Sequence, residues 1–261
     1  MIDWRDFWNR LAEAVGWLMV VILVALLWIL AVTTLQAQTV PLVRVQHDAF
    51  VCYYDIQTHN PSLVCYVLEH RHFSGSNKVK GRHFKSDTKL PRPRVKDGDY
   101  TNTGFVRGHL CSAGDRDSDK AWLKETYLTS NLVPMTMVCN SGAWKVIEDS
   151  CRLLASQGHR LQICRGPLYA DISKSAERVL QSRVAIRIPE GFFSFARCLD
   201  CPLVYCRTCY NSSSQGLDNV LRTARNSVIQ SIPYYRDPRV SQLLTNILGL
   251  WSREEYETIT R

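Results

Sequence analysis

The longest apolar stretch lies near the start of the chain. Residues 15–32 read VGWLMVVILVALLWILAV, and no charged residue occurs from residue 14 to residue 43. An apolar run of this length approaches the roughly 20 residues that a membrane-spanning helix requires. The pattern therefore predicts an uncleaved transmembrane anchor over residues 15–36, preceded by a short cytoplasmic segment over residues 1–14.

The charges around this stretch set its expected orientation. Arg5 and Arg10 precede the apolar run, whereas Arg44 follows it. This bias places the N-terminus in the cytoplasm and the remaining chain outside it, in the periplasm or the extracellular space. The alternative is a signal peptide cleaved near Ala37, which would give a secreted protein, but the run is longer than a typical signal core.

Beyond residue 43, short runs rich in β-branched, aromatic and cysteine residues are separated by turn residues. Such runs are typical of strands in an antiparallel sheet. They lie at residues 50–54, 63–68, 161–165, 184–188, 192–197 and 203–210. We therefore expect an α+β domain over residues 44–261, a mixed domain with a central antiparallel sheet.

One amphipathic helix is predicted from Gly142 to Ser156, with Gly158 closing it. The positions predicted to form its buried face are Ala143, Val146, Ile147, Ser150 and Leu154. A more polar stripe of the same helix carries Trp144, Glu148 and Arg152. Asn140 stands at the entrance of the helix, where the helix dipole would face an anion.

Charge changes the picture of the domain's partner. The whole chain has 32 basic and 24 acidic residues, a net charge of +8. Residues 1–43 hold two arginines and three acids, so the remaining domain carries +9. A basic domain suits a polyanion such as nucleic acid. The densest basic run, a candidate phosphate-tracking surface, comprises Lys78, Lys80, Arg82, His83, Lys85, Lys89, Arg92, Arg94 and Lys96.

All ten cysteines lie beyond residue 51, in the part of the chain predicted to be exported. An even count in an oxidising compartment favours disulfides. Four of them cluster as Cys198-x2-Cys201-x4-Cys206-x2-Cys209, around a predicted hairpin turn. Cross-strand disulfides or free thiols are favoured there over a structural zinc site, because the two pairs lie closer together than in common zinc ribbons.

The residues with the strongest chemical content lie between residues 103 and 152. In chain order they are Arg107-Gly108-His109, Asn131, Asn140, Glu148 and Arg152. A neutral imidazole can take a proton from water near neutral pH. An amide oxygen suits Mg²⁺, and arginines neutralise charge that develops on a phosphate. Singly, a helix-capping Asn and a surface Glu–Arg pair are the more ordinary interpretations. The combination favours phosphodiester cleavage.

These segments resemble the DNA/RNA non-specific endonuclease family, which includes Serratia nuclease and mitochondrial endonuclease G. Residues 107–109 are similar to the family's Asp-Arg-Gly-His signature, and residues 127–134, YLTSNLVP, resemble its next block. Residues 140–148 and 166–169 resemble its later motifs, and residues 82–87 resemble the segment that supplies an upstream arginine. The similarity spans roughly residues 50–235.

The resemblance implies a ββα-metal site that hydrolyses DNA and RNA and leaves 5′-phosphate and 3′-hydroxyl ends. It implies that His109 is the general base and that Asn140 holds Mg²⁺ or Mn²⁺. Glu148 is expected to orient water around the metal, and Asn131 to hold the His-bearing loop or such a water. The residues expected to contact the phosphate are Arg82, Arg107 and Arg152, and the candidate substrate-binding residues are Lys85 and Arg116.

Two positions depart from the family pattern. Val106 stands where an Asp is usual, and Met135 stands where a Gln is common. The Asp is expected to brace the loop that presents Arg107 and His109, so its loss bears on the rate more than on the reaction class. Asp115 and its neighbours lack the remaining positions of a calcium loop, and we expect them to lie in a solvated loop.

Two further functions remain open. A membrane-bound DNA-entry nuclease would use the same chemistry for uptake, and the alternative from another class is a catalytically weak, nucleic-acid-binding or zinc-stabilised surface protein. The sequence does not determine the physiological role or the oligomeric state, and it is compatible with a homodimer.

Overall fold

The computed structural model describes residues 4–36, 42–79, 84–169 and 178–212. The chain divides into two units, Met1–Val40 and Pro41–Arg261. In the first unit, α1 spans Trp4–Gln36, as expected of an apolar run without proline. Within the described part of the chain, no helix is long and apolar enough to cross a membrane. The predicted transmembrane anchor is therefore not supported.

Among its described residues, the second unit combines strands with three α-helices. The strands are β1 (Val43–Gln46), β2 (Val51–Asp55), β3 (Asn60–Leu68), β4 (Val106–His109), β5 (Leu132–Met135), β6 (Leu161–Leu168), β7 (Val179–Leu180), β8 (Ile186–Arg187), β9 (Gly191–Cys198) and β10 (Val204–Tyr210). The helices are α2 (Lys120–Glu125), α3 (Met137–Ser141) and α4 (Ala143–Ser156).

Six strands form the central sheet, in the order β1-β2-β3-β6-β9-β10, and every neighbouring pair is antiparallel. Five of the predicted strands correspond to β2, β3, β6, β9 and β10. The apolar runs of β3, β6 and β9 are largely buried on the sheet, whereas β10 is mostly half-exposed. The α+β class and the antiparallel sheet are confirmed. The strand predicted at residues 184–188 shortens to β8, which pairs with β7 outside the central sheet.

A separate hairpin-like pair, β4 and β5, lies beside the sheet and precedes α4 in the chain. His109 is opposite Leu132, and Val106 is opposite Met135. Gly108 must be a glycine here, since a Cβ atom would lie 2.6 Å from the Met135 side chain. Strands β4 and β5 followed by α4 form the predicted ββα arrangement.

The buried face of α4 differs from the predicted face. Its buried residues are Trp144, Ile147, Cys151 and Ala155. Val146, predicted to be buried, is 41% exposed, whereas Trp144 is 1% exposed. The indole N–H of Trp144 donates to the His109 carbonyl oxygen at 2.9 Å, and this tertiary contact rotates the face by about one residue.

The cysteines are mostly unpaired. Cys65 on β3 lies opposite Cys164 on β6, and the two form a disulfide. The other eight cysteines are free, and six of them are buried in the main core beside apolar side chains. Burial raises the pKa of Cys111 to about 12, so that this thiol stays protonated. The expectation of widespread pairing was wrong, because burial in the core occupies these residues instead.

Breaking the disulfide should lower the stability of the domain. The bridge joins residues separated by 99 positions, and closing a loop of this length restricts the unfolded chain. We expect Cys164→Ser to lower the free energy of unfolding by about 2–5 kcal/mol, measured by denaturant titration. Cys206→Ser is the control, because Cys206 packs beside the bridge without joining it. Equal unfolding midpoints for oxidised and reduced protein would contradict the assignment.

Candidate active site

His109 ends β4, and its ring lies in an aromatic pocket. The Tyr127 ring packs edge-on against it at 5.1 Å between centroids, and the Phe84 ring lies at 5.8 Å. Burial lowers the pKa of His109 to about 4. Among the described residues, its Nε2 atom has no hydrogen-bond partner. The site therefore offers a neutral imidazole with a free ring nitrogen.

The backbone that follows the imidazole is held by side chains from two other elements. Trp144 on α4 donates to the His109 carbonyl oxygen at 2.9 Å. Arg165 on β6 donates from Nη1 to the Leu110 carbonyl oxygen at 3.2 Å. Because both donors are buried, these bonds fix the end of β4 relative to the central sheet and to α4.

Asn131 holds the next residue of the same segment. Its Oδ1 accepts from the Cys111 amide at 2.7 Å, and its Nδ2 donates to the carbonyl oxygens of Cys111 and Thr126, both at 2.8 Å. Both amide hydrogens are used, and the side chain is fully buried. Of the two roles expected of Asn131, the structure therefore favours holding the His-bearing loop over contact with a metal water.

Arg107 lies on the same face of β4 as His109, and an acid holds it. Its guanidinium forms an ion pair with the Asp97 carboxylate and donates to the Asp97 carbonyl oxygen at 2.6 Å. The guanidinium also lies 5.4 Å from the ring centres of Phe84 and Tyr100. Asp97 therefore supplies a bracing carboxylate that the half-buried Val106 cannot.

Asn140 lies in α3 and does not cap α4. The cap of α3 is Thr136, whose hydroxyl oxygen accepts from the Cys139 amide at 3.1 Å. The Asn140 side chain is half-buried and makes no hydrogen bond to any residue that the structure describes. A free, neutral amide oxygen fits a hydrated Mg²⁺ or Mn²⁺, which takes few protein ligands and keeps its own water. The capping interpretation is excluded.

Glu148 and Arg152 lie further along α4, on the C-terminal side of Asn140 and Trp144. The Glu148 side chain is 13% exposed, and burial raises its pKa to about 7, although a hydrogen bond from Ser112 opposes the rise. Its carboxylate lies 3.9 Å from the Arg152 guanidinium. Arg152 makes closer bonds to Asp115 at 2.7 Å and to Asp149 at 2.6 Å. These acids hold Arg152 in place, and so a phosphate would have to compete with them.

The anchor of Arg152 is a buried acid that the sequence analysis placed in a solvated loop. Asp115 is 0% exposed, accepts from the Tyr66 hydroxyl at 2.6 Å and lies 3.6 Å from Arg165. The prediction was wrong because a buried carboxylate is stable only when it is paired, and the partners come from distant elements. An arginine inside the apolar run LQICRGPL was the signal for this pairing.

Arg116 is also internal, contrary to its expected role in substrate binding. It is 3% exposed, and its guanidinium donates to the carbonyl oxygens of Ala49, Asp115 and Val67 at 2.9–3.0 Å. The guanidinium also stacks 4.7 Å from the centre of the Tyr66 ring. With its donors facing backbone oxygens, Arg116 stabilises the fold and does not contact substrate.

Lys85 keeps its expected exposure. Its backbone is bonded to Tyr127 and Thr129, at 3.1 and 3.0 Å, which places the exposed side chain next to the aromatic pocket of His109. The neighbouring Arg82 and His83 lie outside the described residues. Ser86, the residue after Lys85, lines a basic cleft of about 600 Å³. The other lining residues are Thr88, Arg92, Pro93, Arg94, Lys96 and Arg183.

Comparison with known proteins agrees with this geometry. A nuclease of Nostoc sp. is 31% identical over 128 residues, covering 48% of this chain and 44% of that protein. Human mitochondrial endonuclease G is 25% identical over 152 residues, covering 56% and 51%. The chain thus spans about half the length of these two relatives. A crystal structure of the EndoG/EndoGI complex shares the fold, with a TM-score of 0.59 at 22% identity, over 73% of this chain and 83% of that chain.

The family match is more extensive than the pairwise matches. The model of the DNA/RNA non-specific endonuclease family covers residues 33–219, well over half of the chain. This span contains β4, β5 and α4 and each of the candidate site residues that they position. On these grounds the chain belongs to the DNA/RNA non-specific endonuclease family.

Proposed function

We propose that this chain is a metal-dependent endonuclease that hydrolyses DNA and RNA with little sequence preference and leaves 5′-phosphate and 3′-hydroxyl ends. One observation carries the proposal. His109 ends β4 with a neutral imidazole and a free ring nitrogen. Its carbonyl oxygen accepts a hydrogen bond from Trp144, which lies four residues after Asn140, whose side-chain amide is free. Family membership supports the reaction class.

In this proposal His109 takes the proton of the attacking water at its free ring nitrogen. Its low pKa keeps the imidazole neutral, so it is ready to accept a proton throughout the neutral range. The contacts with Tyr127 and Phe84 limit rotation of the ring. The hydrogen bonds from Trp144 and Arg165 hold the backbone of His109 and Leu110, which fixes the position of the base relative to α4.

Asn140 would hold the divalent cation, Mg²⁺ or Mn²⁺. When bound, that cation supplies charge stabilisation to the phosphate and to the leaving oxygen. Glu148 would orient water near Asn140. Its pKa is about 7, and its ionised carboxylate accepts hydrogen bonds from such water. Asn140 would be a single neutral protein ligand, which suits a cation that keeps most of its hydration.

Binding of the nucleic acid backbone would use Arg107, Lys85 and the basic cleft. The ion pair with Asp97 holds Arg107 in a fixed direction on the His109 face of β4. The cleft gathers Arg92, Arg94 and Lys96 from the predicted basic run beside Arg183. Contacts of this kind depend on phosphate charge and carry no base sequence, in agreement with weak sequence preference.

We also propose that the domain works outside the cytoplasm, in an oxidising compartment. The Cys65–Cys164 disulfide supports this location, because cytosolic reductants keep such pairs reduced. Thiol labelling after denaturation in chelator, on protein taken from its native compartment, tests it, since only the two disulfide-bonded cysteines should then resist labelling.

Loss of the proposed base should slow cleavage strongly, whereas loss of a histidine outside the site should not. We expect His109→Ala to slow Mg²⁺-dependent nicking of circular DNA by about 10²–10⁴-fold, because a positioned base contributes this much to a rate. His70→Ala is the matched control, since His70 is exposed on a turn remote in sequence from the motif. A His109→Ala protein that cuts at the wild-type rate would show that the base is another group.

Substitution of the two asparagines should separate metal binding from folding. Asn140→Ala should raise the Mg²⁺ concentration needed for half-maximal activity and leave the unfolding midpoint in chelator unchanged. Asn131→Ala should instead destabilise the protein, on the order of 2–4 kcal/mol, because it leaves buried backbone groups of Cys111 and Thr126 without partners. An unchanged Mg²⁺ requirement in Asn140→Ala would contradict its role as ligand.

The low pKa of His109 should appear in the pH dependence of stability. The unfolded chain binds this proton near pH 6.5 and the folded chain near pH 4, so stability is present above 6.5 and is lost as pH falls towards 4. Relative to His109→Gln, the wild type should lose on the order of 1–3 kcal/mol across this window. Denaturant titrations in chelator measure the difference, and a difference that does not vary with pH would contradict the shift.

A further inference from the structure

A cluster of metal-ligating atoms lies at the C-terminal end of α4, away from the candidate active site. The Nδ1 atom of His159 is 3.6 Å from the Cys201 sulfur and 3.8 Å from the Cys198 sulfur. All three ligand atoms lie within 4.8 Å of one another. The 14 residues of α4 span ~20 Å, which separates this cluster from the start of α4 near His109.

The spacing is that of a tetrahedral metal site. Zn–S bonds of about 2.3 Å and Zn–N bonds of about 2.0 Å, set at tetrahedral angles, place a nitrogen about 3.6 Å from each sulfur. The two distances from His159 to the sulfurs agree with this value to within a few tenths of an ångström. Two thiols and an imidazole are also the donor set that zinc prefers over magnesium or calcium.

The backbone around the two cysteines is already folded for binding. The Leu203 amide donates to the Cys201 sulfur, and the Cys198 amide donates to the Leu203 carbonyl oxygen at 2.8 Å. The Leu199 amide donates to the Arg160 carbonyl oxygen at 2.8 Å, which fixes the loop next to His159. These bonds hold the backbone of the loop that carries both cysteines.

The other two cysteines of the hairpin do not converge on this point. Cys206 packs with the apolar residues around the Cys65–Cys164 bridge. Cys209 lies in the main core, with its sulfur 3.7 Å from the sulfur of Cys139. The four-cysteine zinc site weighed in the sequence analysis is therefore not formed. The missing signal was His159, which is about 40 positions distant in sequence and joins the cluster only through the fold.

We propose that His159, Cys198 and Cys201 form a structural zinc site, distinct from the magnesium site of the proposed nuclease. Three protein ligands bind the ion, and solvent takes the fourth position, because His159 and Cys201 are half-exposed. The bound ion links the loop after α4 to the β9–β10 hairpin. It thereby closes the end of the core opposite the candidate active site and stabilises the fold without taking part in cleavage.

Metal substitution in the full-length protein tests the site. Protein isolated without added reductant, which keeps the Cys65–Cys164 disulfide intact, is stripped with chelator and titrated with Co²⁺ alone, and thiolate–cobalt absorption reports binding. We expect one equivalent per chain, displacement by Zn²⁺ and a higher unfolding temperature with Zn²⁺. His159→Gln and Cys201→Ser should weaken binding at least tenfold. Cys206→Ser on the same hairpin should bind as the wild type does.

Two controls separate this site from the active site and from misfolding. Asn140→Ala should keep the thiolate–cobalt absorption, whatever becomes of its nuclease activity. The metal-free His159→Gln protein should unfold at the temperature of the metal-free wild type, because His159 is half-exposed on a loop. Full Co²⁺ affinity in His159→Gln, loss of binding in Cys206→Ser, or a Cys198–Cys201 disulfide in the freshly isolated protein would each overturn the proposal.

Discussion

The burial of one carboxylate, that of Asp115, organises the candidate active site. A charge removed from water is stable only when cations and hydrogen-bond donors surround it, and loss of one partner of such a pair typically costs about 3–5 kcal/mol. Asp115 meets this requirement with the Tyr66 hydroxyl, Arg152 and Arg165. These partners come from β3, α4 and β6, so the requirement joins the central sheet to α4.

The same arginines connect the buried charge to the segment that carries the base. Arg165 donates to the Leu110 carbonyl oxygen directly after His109, and Arg152 lies 3.9 Å from Glu148. Asn131 and Trp144 complete the hold on the backbone of residues 109–111. Precise placement of a base requires such support, because a displacement of 1 Å can cost a large part of the rate. Several residues expected to touch substrate therefore work as scaffold.

Features set by local sequence were predictable, and features set by distant contacts were not. The strands β2, β3, β6, β9 and β10 followed from their apolar runs, and the position of α4 followed from helical spacing and Gly158. The face of α4 did not, since the indole of Trp144 is buried by a bond to a carbonyl group 35 positions earlier. The burial of Arg116 was not predictable either. Its guanidinium is held in the core by the carbonyl oxygens of Ala49, Asp115 and Val67, and no local sequence pattern indicates these bonds.

The departure at Val106 shows how a motif can lose a residue and keep its electrostatics. The usual acid at this position is expected to brace the loop that presents Arg107 and His109. In this chain the carboxylate comes from Asp97, ten residues before Arg107, on a turn whose aromatic neighbour Tyr100 lies against the same guanidinium. A negative charge next to an arginine acts through distance and not through its position in the chain. The substitution is therefore compatible with an intact site, because the field at Arg107 is supplied by another part of the fold.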